Sequence, residues 1–231
     1  MKYLNQLASR ITLITLIGVT GFAACKKDEI KNSPMASLRI VNGIAGGTAI
    51  RNGAYAGTIS NISSRLDNIQ TGGFDIYIWP NGDSLHPYYV LPKFVAQDRE
   101  IYSLFLCGPP TAVEGIIVKE DIPYWTDTIA GIRFVNLSPN STGINITRLS
   151  TPTVNDVTNL QYKSMTGFIG FPAGANVGET FQFRNASTNA VLASVAFTKA
   201  SMPRWRNMSL VFRGMVGGTP AVGVTQVTHD R

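Results

Sequence analysis

Cysteine and histidine are scarce in this 231-residue chain, which holds two of each: Cys25, Cys107, His86 and His229. Neither histidine has a second ligand at a recognised spacing, so the sequence points to no metal site. His86 precedes Pro87 in a turn region and His229 lies near the C-terminus, so both are expected at the surface. Blocks of like charge are missing as well. The formal charge of +6 is spread along the chain, without the clustered basic footprint that nucleic-acid binding needs. Arg204-Trp205-Arg206 reads instead as a surface cluster at a strand end. No G-x-S-x-G elbow occurs. The glycine pairs at 46–47, 72–73 and 217–218 supply turns, not a phosphate cradle, and no cofactor is implied. Helical periodicity is absent after residue 25.

What is present begins at the N-terminus. Lys2 and Arg10 are the only charges before a fourteen-residue uncharged run, Ile11 to Ala24. A basic start followed by an apolar run of this length is the pattern of a secretory signal peptide. A membrane-spanning helix needs about 18 or more apolar residues, so the run is too short for a permanent span. Phe22-Ala23-Ala24-Cys25 resembles a bacterial lipobox, which implies cleavage before Cys25 and acylation of its sulfur and amine. Cys107 would then have no partner for a disulfide, and in IYSLFLCG it reads as a small buried hydrophobe. Residues 25–35 read as the lipidated cysteine and a flexible tether. Lys26-Lys27-Asp28-Glu29 resembles the short charged run of Bacteroidota lipoproteins, which implies an outer-membrane, lipid-anchored protein facing the cell surface. Loss of Lys2 and Arg10 with the signal peptide lowers the formal charge from +6 to +4.

Behind the tether the chain repeats. Ser37-Leu-Arg-Ile-Val-Asn42 matches Gly131-Ile-Arg-Phe-Val-Asn136, and Tyr102-Ser-Leu-Phe-Leu-Cys-Gly108 matches Met208-Ser-Leu-Val-Phe-Arg-Gly214. The matches keep their order, which predicts a duplicated unit of about a hundred residues. Phe74, Ile76 and Ile78 alternate with Asp75, Tyr77 and Trp79, as Phe181 and Phe183 do with Gln182 and Arg184. Such alternation, broken by turns such as Pro80-Asn81-Gly82-Asp83, predicts half-buried antiparallel strands. The expected fold is all-β: two tandem immunoglobulin-like antiparallel β-sandwich units behind an N-terminal lipoprotein signal peptide. The expected boundaries are a signal peptide at 1–24, the tether at 25–35, unit 1 at 36–120, a junction at 121–130 and unit 2 at 131–231.

ASLRIVNGIAG and AGIRFVNLSPNSTGINI resemble the opening strand and loop of the secreted bacterial family called domain of unknown function 4397. The resemblance covers residues 36 to 231 and is similar to paired Bacteroidota members behind a lipoprotein signal. It implies a sandwich fold and an envelope location, and carries no catalytic residues across.

Candidate sites are therefore sparse. Glu114, Glu120, Asp121 and Asp127 gather around the junction, where a glycosidase pair would need two carboxylates about 5 to 10 Å apart; a solvated loop is the plainer expectation. Trp79, Tyr88, Tyr89, Tyr124, Trp125 and Trp205 fall near loops or on polar strand faces, where rings can stack on sugars or anchor a protein; the alternative is that they cover sandwich ends or fill the seam between units. Asn42 and Asn136 end matching strands and are expected to bond the local backbone. Asp83-Ser84-Leu85 and Asp127-Thr128-Ile129 resemble the Bacteroidota O-glycosylation triplet, with Ser84 and Thr128 as acceptors. The function expected is a non-enzymatic envelope lipoprotein with a binding or adhesion surface. The alternatives are a carbohydrate-binding accessory or weak hydrolase of a glycan-uptake system, and a periplasm-facing scaffold. Its partners would be the membrane, through the lipid anchor, and a glycan or an envelope or host protein, not nucleic acid.

Overall fold

A computed structural model describes residues 33–53 and 57–229. The expected signal peptide, Cys25 and most of the expected tether lie outside the described residues. From Pro34 onward the chain belongs to one compact unit, and every named element in it is a strand.

The first half contributes β1 (Met35–Asn42), β2 (Ile50–Asn52), β3 (Ser64–Gln70), β4 (Gly72–Pro80), β5 (Tyr89–Ala96), β6 (Ile101–Cys107) and β7 (Glu114–Lys119). They form a sheet ordered β3-β1-β6-β7 and a smaller one ordered β2-β4-β5. The second half contributes β8 (Ile129–Asn136), β9 (Ile144–Arg148), β10 (Thr151–Leu160), β11 (Ser164–Met165), β12 (Ile169–Pro172), β13 (Glu179–Asn185), β14 (Val191–Phe197), β15 (Asn207–Arg213) and β16 (Gly223–His229). These form a sheet ordered β11-β8-β15-β16, with β12 also on β8, and a sheet ordered β10-β9-β13-β14.

The duplication extends to register. Ser37 opposes Ile101 between β1 and β6, and Gly131 opposes Asn207 between β8 and β15. The sequence repeats therefore occupy equivalent places. Both of these pairings are parallel, whereas the alternation predicted antiparallel strands throughout. A parallel pair needs a long crossover, and in each half the intervening strands supply it, most of them in the facing sheet.

Alternation sends Leu38, Ile40, Leu104 and Leu106 into a first core with Ile76 and Ile78 of β4. Ile132, Phe134, Leu210 and Phe212 enter a second core with Phe181 and Phe183 of β13. The opposite faces of these central strands are buried too. Val41, Phe105 and Cys107 meet Val135, Leu137, Val211 and Val227 in a third cluster. The layers thus run β2-β4-β5, then the β1 sheet, then the β8 sheet, then the β9 sheet, with the two central sheets covered on both faces.

Corresponding strand ends meet across this seam. A Cβ on Gly43, just past β1, would stand 2.7 Å from Leu137, just past β8. At the opposite end Glu120, which follows β7 and donates its N–H to Ile101 O, reaches Arg133 of β8. The starts of β1, β6, β8 and β15 therefore share one end of the body, called here the entry end because β1 enters there. The far end carries the loops that follow these strands. Trp79 and Pro80 close β4 at the far end, since Asn81 N–H bonds Ala49 O, whereas Thr71 N–H before β4 bonds Pro34 O at the entry end.

Candidate functional site

Two of the four junction carboxylates are spent on the seam. Glu120 faces Arg133 through a bidentate pair, Nη1 to Oε2 at 2.8 Å and Nη2 to Oε1 at 2.9 Å. The two side chains are 1% and 4% exposed, so the expectation of a solvated Glu120 is corrected. Its partner lies on a neighbouring strand thirteen residues on, where no local spacing rule would look. Arg133 Nε also donates to Ser209 Oγ at 2.8 Å, and its guanidinium carbon lies 4.7 Å from the Phe168 ring centroid. Glu114 takes a hydrogen bond from the Tyr162 hydroxyl at 3.0 Å and an ion pair from Lys163. The hydrogen bond from Lys163 holds its carboxyl below the usual range. Asp121 and Asp127 remain exposed.

His229 belongs to the same cluster and is buried, not at the surface as expected. Its position in β16 carries it into the seam, and nearness to the C-terminus does not bring exposure when the last strand lies in a central sheet. Its Nε2 accepts from Ser209 Oγ at 2.8 Å and from Arg133 Nη2 at 3.2 Å. Those donors assign the ring proton to Nδ1, which lies 3.7 Å from Glu120 Oε1. Burial, with the charges of Arg133 and Arg39, lowers the imidazole pKa to about 2. His86, by contrast, is exposed on the far-end turn, its Nδ1 2.9 Å from Asp83.

The six candidate aromatics separate into three groups. Trp125, Tyr88 and Tyr89 are half-buried packing residues. Trp125 Nε1 donates to Asn207 Oδ1 at 2.7 Å, and Tyr88 and Tyr89 pack on the first core. Trp79 lies at the far end with Tyr77, ring centroids 5.5 Å apart and tilted by 51°. Tyr77 stands in register with Val90, an exposed valine, and its hydroxyl donates to Ser84 O at 2.9 Å. Tyr124 and Trp205 lie at the entry end, 83% and 55% exposed. They line a cleft of about 400 Å³ with Pro123 and Arg206. Sequence alternation could have added Tyr77, which shares a strand face with Trp79.

Cys107 is buried as expected, and burial pushes its thiol pKa up. Asn42 donates to Thr48 O at 3.0 Å in the loop beyond β1, whereas Asn136 accepts the Ser138 N–H at 3.0 Å in the loop beyond β8 and donates to Leu160 O of β10 at 2.9 Å. Ser84 and Thr128 both stand exposed.

No family model matches the chain, and no curated protein matches it. Among solved structures it is similar to the carbohydrate-binding module CBMbc, of family CBM26, from Eubacterium rectale Amy13K, solved in complex with maltoheptaose. The match is 9% identical over 85% of this chain and 97% of that one, with a TM-score of 0.26. A score that low carries no argument about fold or ligand.

Ser209, His229 and Glu120 together have the order of an acid–base–nucleophile relay. The surroundings deny them that chemistry. Ser209 is wholly buried within a central strand, and its oxygen already accepts the Arg133 Nε–H. A general base with a pKa near 2 has almost no drive to take a serine proton at neutral pH. The cluster binds sheets together, and Glu120 and Arg133 also line a cleft of about 490 Å³ with Met165 and Phe168.

Proposed function

We propose that this chain is a non-enzymatic lipoprotein of the bacterial envelope, anchored through acylated Cys25, whose two immunoglobulin-like units belong with domain of unknown function 4397. The observation that carries this reading is the two-ended layout. The anchor sequence joins the body at Met35, and the Tyr77–Trp79 pair lies at the opposite end, beside the exposed turn that holds Asp83, His86 and Leu85. A protein held by its entry end offers that far end to whatever lies beyond the membrane. Protease shaving of intact cells tests the placement. Loss of the intact band before lysis fits a surface-facing binder, and protection until lysis overturns the surface placement in favour of an envelope scaffold.

A second reading is favoured by the chemistry of the same patch. Two neighbouring rings with an Asp–His pair and backbone carbonyls nearby suit a sugar, which takes stacking on one face and hydrogen bonds around its rim. Glu120, wrapped by Arg133, is unsuited to serve as a hydrolytic acid, so this reading is capture without cleavage. Trp79→Ala, checked by circular dichroism for a retained fold and screened on a glycan array beside the unaltered protein, should abolish any glycan signal. A glycan signal that survives the substitution would move the site elsewhere.

A further inference from the structure

Trp205 is the least economical residue at the entry end. Its ring is 55% exposed and its backbone is held at φ +48°, a left-handed conformation unusual for a bulky residue. The strain is fixed by its neighbours. Trp205 N–H donates to Ile129 O at 2.8 Å, and the Arg204 guanidinium carbon lies 5.3 Å from the indole centroid. Arg204 is in turn held by Asp127, its Nε donating to the backbone carbonyl at 3.0 Å. Tyr124, 83% exposed, lines the same cleft. A rigid turn thus holds an indole in water beside a phenol, and strained presentation of this kind marks positions with work to do.

We propose that this aromatic pair is a foot that docks on the lipid bilayer, with Trp205 entering the headgroup region. The inference rests on the anchor reading. Nine residues separate Cys25 from Met35, ten steps that span at most about 35 Å, and β1 enters at the end that bears Trp205 and Tyr124. Trp and Tyr favour the membrane–water interface, where an apolar ring and a polar edge are both accommodated. Three cations at this end are paired with acids. Arg99 lies 3.7 Å from Asp98, Lys119 2.9 Å from Glu100 and Arg204 3.4 Å from Asp127. The foot therefore takes a zwitterionic lipid surface through its rings and needs no anionic lipid. Docking fixes the body against the membrane and aims the Tyr77–Trp79 end outward.

The test uses the full chain made in a lipid-modifying bacterium, purified in detergent and reconstituted into phosphatidylcholine vesicles with brominated acyl chains. Flotation reports the anchor, and bromine quenching of tryptophan emission reports the foot. The expected result is flotation with partial quenching, most of which disappears in Trp205→Phe, a change at an exposed ring that keeps the fold. Tyr124→Ser should lower the quenching without removing a tryptophan. Flotation without quenching, or equal quenching in Trp205→Phe, overturns docking and leaves the anchor standing. Failure to float overturns the anchor, and the docking with it.

Discussion

Arg133 has all three guanidinium nitrogens engaged, by Ser209, by both oxygens of Glu120 and by His229. Buried ion pairs rarely outperform apolar packing, because desolvation offsets their attraction. Their use is to penalise wrong arrangements, and here the pair ties the segment after β7 to β8. The cluster accepts no further positive charge, which explains the neutral His229. In the unfolded chain this histidine takes up a proton as pH falls through about 6.5. In the folded protein it does so only near pH 2. Between those limits the unfolded state binds more protons, so stability is lost as pH falls, at about 1.4 kcal/mol per pH unit. Urea unfolding at pH 7 and pH 5 should differ by about 2 kcal/mol from this group alone. His229→Gln should flatten that dependence, whatever it does to absolute stability. Equal slopes in the two proteins would mean that His229 ionises in the fold.

At the scale of strands, the start of β8 depends on one small residue. A Cβ on Gly131 would lie 2.1 Å from Trp125 Nε1 and 2.2 Å from Asn207 Oδ1, the two atoms that bond each other there. Gly131→Ala must therefore push Trp125 off β8. Overpacking and the lost bond together should cost about 2–4 kcal/mol, read by urea unfolding and by the near-ultraviolet signal of Trp125. Gly167→Ala is the control, since nothing lies within 4 Å of its added methyl; a matching loss there would refute the steric account. Elements like β4 were legible because one face meets solvent and the alternation shows. In β6 and β8 both faces are buried, so IYSLFLC and IAGIRFVN give near-continuous apolar runs that signal burial without naming the second partner. Repetition of these runs revealed the duplication but not the seam. The Glu120–Arg133–His229 cluster was hidden for a related reason: its members lie on three separate segments, and nothing local in sequence joins them. Trp205, by contrast, was legible as a surface residue within its basic triplet.

Across the whole molecule, duplication and independence prove to be different properties. Each half has its own core, yet the sheets that meet at the seam bury Val41 and Phe105 of one half against Val135, Leu137 and Val211 of the other. The polar links follow the same division. Glu120 and Glu114 come from the first half, while Arg133, Tyr162 and Lys163 come from the second. Separation would expose a contiguous apolar face and part Arg133 from Glu120 and Phe105. Exposed faces of that kind drive association in water. Residues 34–120 and 121–231, expressed alone, should each aggregate or bind a hydrophobic dye. Co-expressed, they should copurify as a one-to-one complex on size-exclusion chromatography. Two soluble monomers, each melting as sharply as the intact protein, would make the seam a loose contact between free domains. The far-end patch could then no longer be held in fixed relation to the entry-end foot, because the first half carries Trp79 and the second carries Trp205. A rigid seam is what the proposed docking requires, so that one end can rest on a surface while the other points away from it.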